Sequence, residues 1–185
     1  MNIITFLIRA IKIGSSFLYG STGETITEKS GHLNLGIPGI MCVGASCGCA
    51  AEAMYISSLA ENVLPNPIIA VLLPILAAFA GGALMGLVYS VLAVTLRANQ
   101  NVTGLALTTL GTGVSNYMIA QVDGAKFTSA SKYFTATFPF AENCGEIGRL
   151  FFSHGIMIYL AVAIAIVSSI VLTKTRVGLN LRAVG

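Results

Sequence analysis

Five stretches of this sequence, residues 2–20, 38–59, 68–96, 102–121 and 155–173, are long, continuous and apolar, and that dictates where the chain can fold. A helix crossing the hydrocarbon core of a bilayer needs about 20 mostly apolar residues, because the backbone amides find no water there and must bond within the segment. The stretches lack the apolar/polar alternation over about ten residues that a barrel strand would show. The expected fold class is therefore all-α, a polytopic transmembrane helical bundle of about five membrane helices, with residues 1–185 forming a single transmembrane domain. Composition leaves little room for a water-exposed surface: 55% of residues are hydrophobic and only 9% charged, against about 25% charged in a soluble domain.

The connections carry the remaining topology. Pro65 and Pro67 end one helix and begin the next, while residues 123–154 are long and mixed in character, with room for a short helix or re-entrant turn. Lys174, Arg176 and Arg182 follow the last helix and Arg97 follows the third, which places both ends in the cytoplasm. Five spans then put the N-terminus and residues 123–154 outside. Arg9 and Lys12 oppose that orientation unless they snorkel or face protein. The first helix lacks the small-residue cleavage site of a signal peptide and reads as mature structure.

Several functional classes are excluded. The net charge of +3 comes from Lys and Arg scattered at segment ends, with no basic cluster for nucleic acid. Cys42, Cys47 and Cys49 lie in an apolar run and Cys144 far away, so they read as small packing residues rather than zinc ligands or disulfide partners. No phosphate-binding loop G-x-x-x-x-G-K-[ST] occurs, and Gly111-Thr112-Gly113 lacks the later glycine of a dinucleotide fingerprint. His32 and His154 have no ligand pair at metal spacing and no Ser, His and acid cluster is suggested, so neither a metal nor a catalytic residue is expected.

Three features remain. Ala78, Gly82, Gly86 and Ser90 recur four apart on the third helix, with a second row at Ala77 and Gly81, a pattern that lets helix backbones approach closely in lipid. Asn101, Gly104, Thr108, Gly111, Thr112 and Ser115 fall near one face of the fourth helix, opposite Leu107, Leu110 and Val114. Such uncharged hydroxyls and amides suit a neutral polar solute or interhelical packing alike. Finally, residues 23–39 concentrate glycines, a proline and ionisable groups between two apolar helices, the composition of a broken or re-entrant region.

Gly23-Glu24, followed by Glu28-Lys29-Ser30-Gly31-His32-Leu33-Asn34-Leu35-Gly36-Ile37-Pro38-Gly39-Ile40-Met41, resembles an early segment of the nucleoside-uptake type of ABC transporter permease, whose form is G-E-x-x-x-E-R-S-G-x-x-N-x-G-x-E-G-x-M. Two later blocks are similar to the same family: Leu96-Arg97-Ala98-Asn99-Gln100-Asn101-Val102-Thr103-Gly104-Leu105-Ala106-Leu107, and Thr175-Arg176-Val177-Gly178-Leu179-Asn180-Leu181-Arg182-Ala183-Val184-Gly185. Pro38 stands where the nucleoside group has Glu, and Lys29 where Arg is usual, which keeps the charge without the planar fork.

The resemblance implies a transport subunit rather than an enzyme, multi-pass in the bacterial inner membrane, within a wider group of branched-chain amino acid and simple-sugar permeases. It implies partners as well: an ABC ATPase subunit that binds ATP and Mg, a second permease subunit (paralogue or identical copy), an extracytoplasmic solute-binding lipoprotein and the lipid bilayer, with no cofactor in this chain and no nucleic acid. Glu24, Asn34, Gly36, Gly39, Asn99, Gln100, Asn101, Thr108, Thr112 and Ser115 become candidates for the translocation path or its gating. Arg176, Gly178, Leu179, Arg182 and Gly185 become candidates for the start of an ATPase-coupling loop. Against the family the chain is expected to be incomplete, lacking C-terminal helices and most of that loop. Permeases for ribose-like sugars or branched-chain amino acids, and a truncated non-transporting scaffold, are the alternatives.

Overall fold

The computed structural model describes residues 3–59, 64–122, 134–135 and 145–185. Its helices are α1 (Ile3–Lys29), α2 (Ile37–Ser58), α3 (Pro67–Ser90) continuing into a π turn (Val91–Thr95), α4 (Gln100–Ala120), α5 (Gly145–Phe152), α6 (Ile156–Lys174) and α7 (Arg176–Val184). No strand occurs among the described residues. Four stretches, Ile3–Lys29, Ile37–Ser58, Pro67–Thr95 and Ile156–Lys174, are long and apolar enough to cross a membrane, so the chain is a polytopic helical bundle. The fifth expected span forms as α4, whose 21 residues reach about 32 Å. It falls short only in hydropathy, because Asn101, Thr103, Thr108, Thr109, Thr112, Ser115 and Asn116 interrupt its apolar residues.

The described residues form two compact units, Met1–His32 with Phe134–Gly185, and Leu33–Tyr133. In the second unit α2 lies between α3 and α4. Gly44 of α2 meets Ala78 and Gly48 meets Pro74, so α2 and α3 run antiparallel. Gly36 meets Gly104, Gly39 meets Gly111 and Ser46 meets Met118, so α2 and α4 run parallel. Alternating membrane spans require this order of directions, and it carries α4 through the same layer as α2. The buried centre holds Tyr89, Ala93 and Leu107, with Ile40 and Met85 against them.

Helix ends in this unit are set by local chemistry. Asn66 accepts from the Ile68 amide at 3.0 Å with Pro67 in the first turn of α3, and Asn99 accepts from Asn101 and Val102 at 3.0 and 3.2 Å to start α4. The Tyr55 hydroxyl accepts from the Asn66 amide at 3.1 Å, fastening the end of α2 to the start of α3. Between α3 and α4, Leu96 bonds back to Val91 and Ala98 to Leu92, and Arg97 reverses the chain at φ 53°.

In the first unit α1 packs on α6, and α5 and α7 flank the pair. The Tyr19 hydroxyl donates to the Met157 carbonyl at 2.7 Å, and Lys29 shares a cleft wall with Leu172 and Thr173, so α1 and α6 are parallel; Gly31, at φ +82°, lies against Gly185 beyond α7. The expected break near residues 23–39 is narrower than the composition suggests. Helix α1 continues through Gly23 to Lys29, and only residues 30–36 leave helical geometry. Thr22, Thr25 and Thr27 return their hydroxyls to carbonyls of their own helix at 2.7, 2.7 and 3.1 Å, so a polar sequence stays helical. At 1.5 Å per residue Lys12 stands about 26 Å from Lys29 along α1, near the opposite interface, where it and Arg9 can snorkel. The expected short helix in residues 123–154 is α5; the rest of that stretch except Phe134, Thr135, Ser153 and His154, including Cys144, lies outside the described residues, as do residues 60–63.

Candidate functional site

Between α1 and α2 the backbone is not helical, and in a membrane-buried setting each unpaired amide or carbonyl there needs a specific partner. Residues 33–36 obtain them from three side chains on α3 and α4 and one of their own. Gln100 Oε1 accepts from the Leu33 amide at 3.0 Å. The Tyr89 hydroxyl donates to the Leu33 carbonyl at 2.8 Å. Asn34 Oδ1 accepts from the Gly36 amide at 2.9 Å, and Thr108 Oγ1 donates to the Leu35 carbonyl at 2.8 Å. Asn34 is 6% exposed. The first motif block is thus bound to the second, through Gln100, and to the α4 face beyond it.

This join is possible because both helices are bare where they cross. A Cβ on Gly104 would lie 2.8 Å from the Leu35 nitrogen, one on Gly111 2.5 Å from the Gly39 carbonyl oxygen, and one on Gly39 would collide with Leu107 and Thr108. Leu107 is 2% exposed. At Gly104, Leu107 and Gly111, then, α4 packs against α2, and Leu107 lies with those glycines rather than opposite them. Thr112 returns its hydroxyl to Thr108 and Thr109 at 2.9 and 3.0 Å.

The structure therefore brings together Asn34, Gly36, Gly39, Gln100 and Thr108, with Asn99 capping the same end of α4. Asn101 is exposed on the first turn and Ser115 is half-buried farther along. Glu24 lies on α1, in the other unit.

The small-residue row of α3 is used unevenly. Ala78 sits under Gly44 and Gly48, Gly82 has ordinary contact with Ile40, Gly86 has nothing within 4 Å of a built Cβ, and Ser90 is exposed. Gly81, from the second row, takes the side chain of Cys47. The residues proposed for coupling form a helix rather than a loop. Thr175 caps α7 by accepting from the Gly178 amide at 3.2 Å. Gly178 is buried on the end of α6 and Gly185 lies against Lys29 and Gly31, while Arg176, Leu179 and Arg182 are exposed.

Two features were not singled out from the sequence. Glu52 of α2 is 2% exposed and its Oε1 has no hydrogen-bond partner among the described residues. It follows Gly44 and Gly48 at four-residue spacing on the face toward α3. A lone carboxyl in an apolar span was the available signal. Farther along, the ends of α2 and α4 enclose a cleft of about 590 Å³ between Met54, Ser57, Ser58, Tyr117, Met118 and Gln121, with no charged residue in its lining. Its walls combine an aromatic face, thioethers, an amide and hydroxyls.

Three curated relatives align with most or all of the chain. The guanosine ABC transporter permease protein NupQ of Bacillus subtilis is 28% identical over 192 residues, covering 100% of this chain and 57% of the relative. The nucleoside ABC transporter permease protein NupC of Lactococcus lactis is 28% identical over 193 residues, with the same shares. TsgC13 of Haloferax volcanii, an ABC transporter permease protein whose name gives glucose only provisionally, is 28% identical over 182 residues, 95% of this chain and 50% of the relative. The chain spans about half the length of these relatives. No solved structure matches it. A family match extends over residues 6–185, taking in both motif blocks joined at the α2–α4 seam and the α7 helix, and the chain belongs to the family described as branched-chain amino acid transport system, permease component.

Proposed function

We propose that the chain acts within the permease subunit of an ATP-driven ABC importer, and that the solute is a nucleoside. The observation that carries the solute class is that two relatives aligned with the whole chain bear names specifying guanosine and nucleoside. The uncharged cleft at the ends of α2 and α4 supports it. Tyr117 offers a face to a flat base and Gln121 an amide for paired hydrogen bonds, while Ser57 and Ser58, whose hydroxyls donate to the Ala53 and Tyr55 carbonyls at 2.6 and 2.7 Å, can only accept from a sugar hydroxyl. A solute of fixed charge would leave such a lining without a counter-ion.

In this reading ATP and Mg are held by partner ATPase subunits, a second permease subunit completes the path, and an external binding lipoprotein delivers the solute. ATP binding and hydrolysis bias two conformations of the paired permeases. The seam of Asn34, Gly36, Gly39, Gln100 and Thr108 supplies a hinge whose hydrogen bonds are fixed in each conformation, with Glu24 and the remaining polar residues of α4 nearer the path. Helix α7 presents Arg176 and Leu179 for coupling, Gly178 and Gly185 hold it in place, and Arg182 lies on the side of α7 turned to Lys29 and α6.

The full complex, reconstituted in proteoliposomes, is expected to take up labelled guanosine on ATP addition while ribose and leucine stay outside. Uptake of ribose or leucine without guanosine would overturn the solute class. A complex that forms, hydrolyses ATP and moves none of the three would overturn the importer reading.

A further inference from the structure

We propose that the Lys29 end of the α1–α6 pair is a binding site for one anionic phospholipid, its phosphate held by Lys29 and Arg182 and the start of an acyl chain in the adjoining crevice. The polar part is a cleft of about 340 Å³ whose walls include Lys29, Arg182, Ser168 and Ser169. Its lining holds two cations and no acidic residue, and neither cation forms an ion pair among the described residues. Among the described residues Arg182 bonds only through Nε, to the Gly178 carbonyl at 3.3 Å, which leaves the outer nitrogens of its guanidinium for a ligand. The threonines of the same walls are already committed, Thr22, Thr25 and Thr173 each donating to its own helix. The donors left for an anion are therefore the two cations and the two serines.

The second part decides between a free anion and a lipid. A crevice of about 170 Å³ shares Ser168 and Leu172 with the polar cleft and is walled otherwise by Ile26, Val167, Val171, Leu181 and their neighbours. A phosphate ion would have no use for it. A molecule that is anionic at one end and apolar at the other fills both. Val167 and Ile26 are 58% and 40% exposed on helices that cross the membrane, so the crevice opens toward acyl chains. The Lys- and Arg-rich end of these helices also marks the cytoplasmic leaflet, where anionic headgroups concentrate near basic pockets between spans.

The test uses the full-length permease in its complex, exchanged into nanodiscs of equimolar phosphatidylglycerol and phosphatidylcholine, then released into mild detergent for native mass spectrometry. Phosphatidylglycerol is expected to stay bound in preference to phosphatidylcholine. Lys29→Gln with Arg182→Gln should cut its retention roughly 25-fold, about fivefold per cation. Ser168→Trp, which fills the shared wall without changing charge, should displace it as well, and Lys174→Gln, outside the cleft, should not. Equal retention of both lipids, unchanged retention in the double variant, or an equal loss in Lys174→Gln would overturn the proposal. So would release of the lipid by 10 mM inorganic phosphate, which would assign the site to a free anion.

Discussion

Replacing Gly111 by Ala tests the seam directly. The added carbon would lie 2.5 Å from the Gly39 carbonyl oxygen and 2.7 Å from its Cα and carbonyl carbon. Ordinary contact begins at 3.4 Å, and the obstructing atoms are backbone, so no rotamer change relieves the overlap. The helices must part by about 1 Å, and overpacking of this kind costs about 1–3 kcal/mol. The same displacement stretches the 2.8 Å bond from Thr108 to Leu35 past the range where it is effective, a further loss of about 0.5–1.5 kcal/mol. The sum, about 1.5–4.5 kcal/mol, corresponds to a fall in Tm of about 3–18 °C at about 2–4 °C per kcal/mol for a chain of this size.

Gly113→Ala is the matched control, two residues along the same helix and with nothing within 4 Å. Fluorescence-detected size exclusion of the heated complex should show Gly111→Ala melting well below wild type and Gly113→Ala at or above it, since Ala favours helix by up to about 1 kcal/mol over Gly. Equal Tm values for the two variants would mean that α2 and α4 do not cross at these glycines.

Glu52→Leu removes a buried carboxyl with an unpartnered oxygen, so it should stabilise the complex by about 1–3 kcal/mol while abolishing guanosine uptake; a destabilised variant that still transports would contradict a functional role. His154, outside the membrane spans, is 3% exposed, and burial, followed by the nearby Lys12 charge, holds its pKa below the ordinary 6.5 against the opposing bond to Leu150. The fold therefore favours the neutral ring, so its contribution is complete above pH about 6.5 and is lost as pH falls through the lowered value. Thermal scans from pH 7.5 to 5 should show that decline in wild type and a flatter profile in His154→Gln. Leu179, 60% exposed on α7, is expected to bear on the ATPase, so Leu179→Glu should lower ATPase co-purification at least fivefold without lowering Tm; intact co-purification would remove α7 from the coupling surface.

Span existence was legible because bilayer thickness imposes a single length scale on the sequence, and four of the five apolar runs meet it on hydropathy while the fifth, α4, forms as a helix. The start of α3 was legible because Pro65 and Pro67 mark it; α4 begins two residues before the expected 102, after the Asn99 cap, in polar residues that hid the helix start from an apolar pattern. The continuation of α1 to Lys29 was not, since Thr and Glu between glycines read as a loop until each hydroxyl is seen bonded to its own helix. For the site, spacing revealed that Gly104, Thr108 and Gly111 share a face of α4, but not that α2 occupies it. That depends on which backbones are bare at matching depths, a property of two segments about 70 residues apart. Glu52 escaped notice because one acid in 22 residues leaves mean hydropathy almost unchanged, although its energetic consequence is large.

The pairing of α1 with α6 has a consequence for biosynthesis. Tyr19 and its acceptor Met157 are 138 residues apart, and at roughly 5–20 residues per second the ribosome needs about 7–28 s to deliver the second after the first. No residue of α1 is buried even in the finished unit, and Arg9 and Lys12 remain in it throughout. During that interval α1 waits in the bilayer without the helix it packs on in its own unit. Its early fate is a competition between insertion and slippage that the arrival of α6 ends, so slowing translation between the two should expose α1 to membrane quality control without altering any contact of the folded protein.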